Sequence, residues 1–260
     1  TGSAIKLRVR SRVKHILIAL FIFVTEVEAS AQPMKLVYFE SFPPYSWAEE
    51  NKMTGILIDL VDELVRDKLG IPVEHNGFPW ARAQSLVKSG DSDAFITLPT
   101  PLRRKYAVCS ELGVIAIEMK IFVKNDNPLI PKLMQINSLD DLKKYDIVDY
   151  LGNGWIEQHL KEEDGWAVSL LVSSEQTYKV LNKGRAAIRM DVNHVGRHIL
   201  KKLKLNKHII ELLKPVVPPY FLNLCIGKTS DYINIIPKFE EAFRKAQHDG
   251  TVQKVFDTYR

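Results

Sequence analysis

The sequence predicts an α/β protein of two lobes, each a sheet flanked by helices, with two chain crossings that form a hinge. Apolar strand-like runs alternate with segments of helical periodicity, which is typical of parallel sheets with helical crossovers. This alternation occurs twice, in 34–98 and again in 146–190. Extended segments around Cys109–Gly113 and Pro215–Tyr220 separate the two parts and provide the crossings. A ligand cleft between the lobes is the natural consequence.

The elements of the first part follow from local patterns. Apolar residues recur at helical spacing from Ile56 to Val65, and Gly70 ends that helix. Pro79 occupies a first helical position, whereas Pro43 and Pro44 exclude both helix and ladder pairing. The predicted strands are 34–40, 71–75 and 93–98, the helices are 55–69 and 79–89, and 42–47 is a loop.

The second part repeats the plan. Ser138–Asp141 resembles a capping box that opens a helix, and Gly152–Gly154 reads as a turn. Residues 114–124 form an extended segment, the predicted strands are 146–150, 168–172, 186–190 and 221–226, and the helices are 155–161, 175–183, 231–248 and a short last one through Tyr259.

Residues 1–31 have the pattern of a cleavable signal peptide. Five Lys and Arg residues precede the apolar run Ile16–Val24, and Ala29–Ala31 matches a cleavage site. The run is far shorter than the ~20 residues of a membrane span, so a permanent anchor is the weaker alternative. We therefore expect the mature protein in the periplasm.

Charge and cysteine content narrow the function classes. The chain carries a net charge of +5, but 31 Lys and Arg against 29 Asp and Glu after residue 31 leave +2. This balance indicates no nucleic-acid-binding surface. Cys109 and Cys225 either pair in an oxidising compartment or remain two buried thiols, and the sequence leaves both alternatives open.

Arg103 is the first candidate binding residue. It follows the third predicted strand, at the sheet edge where open α/β folds bind ligands. Its planar guanidinium suits a carboxylate held by two hydrogen bonds and stays charged at any relevant pH. A surface arginine in a loop is the alternative.

With these residues identified, the chain from about Lys35 to Arg260 resembles the family 3 extracellular solute-binding proteins, the two-lobed (type II) periplasmic receptors that deliver amino acids to ABC importers. The matching motifs are FPPYSW (42–47) with MTGILIDLVDEL (53–64), DAFITLPTPLR (93–103), NGWIEQHL (153–160), LNKGRAAIRMD (181–191) and the terminal AFRKAQHDGTVQKVFDTYR (242–260).

The resemblance implies a role for each matching residue. Arg103 corresponds to the arginine that holds the ligand carboxylate, and Asp191 to the acid that receives its ammonium group. The other implied contacts are the rings of Phe42 and Trp80, the hydroxyls of Thr97 and Thr100, and the helix N-terminus at Asn153 and Gly154. Arg82 lies one helical turn from the cleft, where it either binds a second anionic group or faces solvent.

We therefore expect a monomeric receptor that closes around a small polar, carboxylate-bearing ligand, an amino acid or a related solute, without catalytic residues, cofactor or metal. Its further partners would be ABC permease subunits in the inner membrane. The expected lobes are 32–111 with 219–260, and 112–218. The alternatives are a ligand-sensing partner of a membrane protein, or a secreted dehydratase whose general acid is Glu40, Glu118 or Asp191.

Overall fold

The computed structural model describes Gly2 and residues 32–213 and 217–259, so the predicted signal peptide lies almost wholly outside the described residues. Where the structure describes the chain, the strands are β1 (Met34–Phe39), β2 (Ser41–Phe42), β3 (Ser46–Glu49), β4 (Lys52–Thr54), β5 (Val73–Phe78), β6 (Ala94–Thr97), β7 (Ala107–Cys109), β8 (Ile115–Ile117), β9 (Met119–Lys124), β10 (Ile147–Tyr150), β11 (Val168–Leu171), β12 (Arg189–Val192), β13 (Ile209–Leu212) and β14 (Tyr220–Gly227).

The described part of the chain also contains α-helices between and after these strands. They are α1 (Ile56–Val61), α2 (Trp80–Ser89), α3 (Pro101–Arg104), α4 (Ile130–Leu133), α5 (Gly154–His159), α6 (Ser174–Asn182), α7 (Asn193–Lys202), α8 (Ile236–His248) and α9 (Thr251–Asp257). The predicted first helix is thus confirmed, with the difference that it continues from α1 as a π-helix over Asp62–Lys68.

Most of the first lobe is a six-stranded sheet in the order β5-β1-β6-β14-β7, and its sixth strand, β8, pairs with β14 and lies in the segment that follows the first crossing. Strand β1 is parallel to both neighbours, as predicted from the strand–helix–strand alternation. Strand β14, which follows the predicted crossing, runs antiparallel to β6 and β7. The carboxyl ends of β1 and β6 therefore lie at the same edge of this sheet.

The second lobe contains two smaller sheets. Strand β9 lies between β12 and β13 in an antiparallel sheet, and β10 pairs with β11 in a parallel one. The interior of this lobe contains Phe122 and Tyr178, which are fully buried with their rings edge to face. The predicted two-lobed α/β architecture is confirmed.

Four local predictions are corrected. The segment 42–47 is not a loop, because β2, β3 and β4 form a small antiparallel sheet with Pro43 and Pro44 in the turn, where no ladder bond is needed. Ser138–Asp141 opens no α-helix, only the 3₁₀ turn Asp140–Leu142. The strand predicted at 186–190 lies later in the chain, as β12 (Arg189–Val192). The helix predicted at 231–248 begins only at Ile236, after the 3₁₀ turn Ile233–Ile235.

Cys109 and Cys225 form a disulfide. They lie directly opposite each other on the neighbouring antiparallel strands β7 and β14. The bond therefore joins the start of the first crossing to the strand that follows the second.

Candidate functional site

A cavity of about 60 Å³ is lined by residues of both lobes. Seven of its lining residues are aromatic, namely Tyr38, Phe39, Phe42, Trp80, Tyr150, Trp155 and Tyr220. Its polar lining residues are Ser46, Thr97, Arg103, Asn153 and Asp191, with Gly154 beside them. Seven of the nine residues predicted to bind ligand therefore meet around one cavity.

Arg103 is buried, with 2% of its surface exposed. Its Nε donates to Gln84 Oε1 at 2.9 Å, Nη1 donates to the Leu98 carbonyl at 2.9 Å, and Nη2 donates to the Gly152 carbonyl at 3.0 Å. The guanidinium also lies 5.4 Å from the centre of the Trp80 ring. At most two of its five N–H groups thus remain for a ligand.

Arg103 has no carboxylate in direct contact among the described residues, although the more distant Glu157 attracts it and opposes the effect of burial on its pKa. Its three acceptors are neutral oxygens, and no carboxylate of the described residues forms an ion pair with it. Burial lowers the pKa of the guanidinium, but an arginine keeps its proton in proteins. A buried cation without a carboxylate in ion-pair contact therefore lines the cavity.

Helix α2 positions Arg103 through two side chains. Trp80 and Gln84 are four residues apart and so lie on the same helix face. Trp80 provides the ring below the guanidinium, and Gln84 provides the acceptor for its Nε. Trp80 was predicted as a binding residue and Gln84 was not, although its spacing of four residues from Trp80 places both side chains on one helix face.

Two glycines let the lobes approach at this point. A Cβ on Gly154 would lie 2.6 Å from Arg103 Cζ, and a Cβ on Gly152 would lie 2.5 Å from Gln84 Nε2. Gly152 also has a φ of +84°, a conformation that other residues rarely adopt. The contact between Arg103 and the second lobe thus depends on the absence of side chains at 152 and 154.

We expect Gly154→Ala to destabilise the ligand-free protein by about 1–3 kcal/mol, the cost of inserting a methyl group into a tightly packed contact. Urea unfolding followed by circular dichroism measures this difference. The matched comparison is the same change in an Arg103→Ala background, where the nearest atoms to the new methyl group are gone. An equal cost in both backgrounds would contradict this origin of the effect.

Asp191, the expected acceptor for a ligand ammonium group, is bonded within the protein. Its Oδ2 accepts hydrogen bonds from Tyr178 Oη at 2.9 Å and from Arg189 Nε and Nη2 at 3.1 and 2.8 Å. Its Oδ1 accepts from the backbone N–H of Val192. Arg189 is fully buried, so the negative charge of Asp191 is paired with a second interior arginine.

A second buried acid, Asp149, adjoins this pair. Its Oδ1 lies 3.9 Å from Arg189 Nη1 and accepts hydrogen bonds from the Tyr150 N–H and Asn153 Nδ2, whereas Oδ2 has no partner among the described residues. Burial raises the pKa of Asp149 to about 6, and the nearby Asp191 adds to the shift while Arg189 opposes it. Asn153 also caps α5 by accepting from the Trp155 N–H, so its amide is engaged on both atoms.

The remaining candidates differ in their placement. Thr97 lines the cavity, but Thr100 does not, because its Oγ1 caps α3 by accepting from the Arg103 N–H. Arg82 is exposed, with its guanidinium 5.0 Å from the Phe78 ring centre, so it faces solvent and not the cavity. Glu40 and Glu118, the general-acid candidates of the dehydratase alternative, do not line the cavity.

The match to a known protein family covers the part of the chain that contains the cavity. Residues 34–260 match the model of the bacterial extracellular solute-binding proteins, family 3. The chain belongs to this family. No curated protein sequence matches it.

Solved structures support the same fold for this family 3 solute-binding protein. A histidine kinase sensor domain with similarity to periplasmic binding proteins has a TM-score of 0.75 at 16% identity, over 88% of this chain and 96% of that one. An ancestral arginine-binding protein bound to arginine has 0.68 at 24%, over 87% and 97%. An ancestral amino acid-binding protein, a precursor of cyclohexadienyl dehydratase, has 0.67 at 21%, over 87% and 95%.

In the described residues of this solute-binding protein, no helix has the length and apolar character needed to cross a membrane.

Proposed function

We propose that the protein is a periplasmic receptor that closes around a small carboxylate-bearing solute, an amino acid or a related acid, for an ABC importer. The observation that carries this proposal is Arg103, a buried cation at the cavity without a carboxylate partner among the described residues. A buried charge is costly unless it is paired. A ligand carboxylate would pair with Arg103 through two charge-assisted hydrogen bonds.

The size of the cavity limits the ligand. One water needs about 10–15 Å³ on the same measure, so 60 Å³ accommodates on the order of four to six water-sized groups. This corresponds to the carboxylate, amine and α-carbon of a small amino acid. The aromatic wall would supply contact area at low entropy cost and faces for an ammonium group. Larger ligands require the lobes to open further.

The organisation we propose follows from this role. Residues 1–31 would direct export to the periplasm and be removed. The lobes would be 32–111 with 219–260, and 112–218, with binding groups contributed by both. The partners would be the solute and the permease subunits of an importer, with the receptor acting as a monomer.

A second candidate role is ligand sensing for a separate membrane protein. It is favoured by the likeness to a histidine kinase sensor domain, whose TM-score is 0.75. This role uses the same cavity and the same carboxylate partner, and differs only in the protein that recognises the closed form.

A thermal-shift screen tests the carboxylate assignment. The panel consists of amino acids, opines, dicarboxylates, matched acids without the amine, and polyamines without a carboxylate. We expect at least one carboxylate at 100 times its Kd to stabilise the protein by about 2.7 kcal/mol, or roughly 5–10 °C. Stabilisation by polyamines alone would contradict the assignment.

A further inference from the structure

Gln84 joins the two lobes through a single amide. Its Oε1 accepts the hydrogen bond from Arg103 Nε at 2.9 Å, and its Nε2 donates to the Gly152 carbonyl at 3.0 Å. The same carbonyl accepts from Arg103 Nη2 at 3.0 Å. Gln84, Arg103 and Gly152 thus form a closed triangle of hydrogen bonds between α3, α2 and the turn before α5.

Only glutamine satisfies all of these contacts. The oxygen of the amide must face the guanidinium N–H, and its nitrogen must face the carbonyl, so the two bonds fix one orientation of the side chain. A glutamate at 84 would keep the bond to Arg103 but neutralise its charge, and it would place an acceptor against the Gly152 carbonyl. A neutral amide holds the guanidinium without reducing its attraction for an anion.

The occupied Nε also restricts how a ligand approaches. Because the N–H at Nε of Arg103 already donates to Gln84, a carboxylate can accept hydrogen bonds only from the terminal nitrogens Nη1 and Nη2. These two nitrogens lie beside Gly154. These nitrogens already contact the second lobe through the Gly152 carbonyl. Ligand binding and lobe closure therefore involve the same side of one guanidinium.

We propose that Gln84 is a positioning residue that aims Arg103 at the ligand carboxylate and ties it to the second lobe, so that the closed arrangement is populated before ligand binds. The first part of this inference rests on the proposed function, and the second does not. Neither Gln84 nor ligand-free closure follows from the family match.

The closure is tested by an interlobe distance in the ligand-free protein. Both cysteines are in the disulfide, so spin labels at Lys88→Cys and Lys179→Cys, two exposed positions in different lobes, need no background change. We expect one short distance in the wild type, and a longer or broadened distribution with Gln84→Met, which keeps the length but loses both bonds. The matched control is Gln135→Met, an exposed position, which should leave the distance unchanged. An open wild type, or an unchanged distance with Gln84→Met, would overturn the proposal.

The aiming role is tested with acetate as the simplest carboxylate probe, in the same protein. We expect Gln84→Met to weaken acetate binding about 10-fold and Gln84→Glu about 100-fold, because only the glutamate also cancels the charge of Arg103. Equal losses for the two variants would indicate a merely structural role and overturn the aiming part. If the wild type did not bind acetate, both the proposed carboxylate site and the aiming role of Gln84 would be contradicted. The interlobe distances test closure without ligand separately.

Discussion

Arg103→Ala is expected to weaken binding of the cognate carboxylate by about 2–5 kcal/mol, or roughly 30- to 4,000-fold, because the ligand charge would be buried without its partner. Isothermal titration calorimetry with the best ligand of the thermal-shift panel measures the change. Loss of its hydrogen bonds to Gln84, Leu98 and Gly152 should also lower the stability of the ligand-free protein, so urea unfolding of the variant is measured beside the titration.

The matched control is Arg82→Ala, which removes a second arginine from the same lobe. Arg82 is exposed and does not line the cavity, so its loss should change affinity by less than 0.5 kcal/mol, roughly the range of surface substitutions. An unchanged dissociation constant for Arg103→Ala would remove this residue from the site. Equal losses for both variants would instead indicate a diffuse effect of positive charge.

Much of the cavity was predictable from short motifs, because its residues lie at the ends of local elements. Arg103 follows β6, Asn153 precedes α5, and Trp80 opens α2, so each is located by its own strand or helix. The hairpin in 41–54 was missed for a local reason. Prolines that exclude ladder pairing are compatible with the turn between two strands.

The contacts across the lobes were not predictable, because they join residues far apart in sequence. Gln84 meets Gly152 across 68 residues, and Cys109 meets Cys225 across 116. Asp191 was identified, but its pairing with Arg189 was not, because the strand was predicted to end at 190. With β12 spanning Arg189–Val192, residues 189 and 191 point to the same face.

That pairing leads to the second large effect, a loss of stability with Arg189→Met. Arg189 is fully buried, donates two hydrogen bonds to Asp191 and lies 3.9 Å from Asp149. Removing one partner of a buried ion pair costs about 3–5 kcal/mol, since the remaining charge is left uncompensated. We expect a decrease of this size in the free energy of unfolding, measured with urea at pH 8.

The pH dependence identifies the cause of the loss. Burial already raises the pKa of Asp149 to about 6 in the folded protein, above its value in the unfolded chain, so this group's ionisation removes stability as pH rises through 6. Without Arg189, the pKa of Asp149 should rise further, because the cation that opposes the shift is gone. The destabilisation of Arg189→Met should therefore be smaller at pH 5 than at pH 8, and Asp149→Asn with Asp191→Asn should recover part of it.

Arg185→Met, at an exposed position on the neighbouring turn, is the matched control and should change stability by less than about 0.5 kcal/mol at either pH. If Arg189→Met unfolded no more readily than this control at pH 8, the interior charges would have to be balanced by groups other than Arg189.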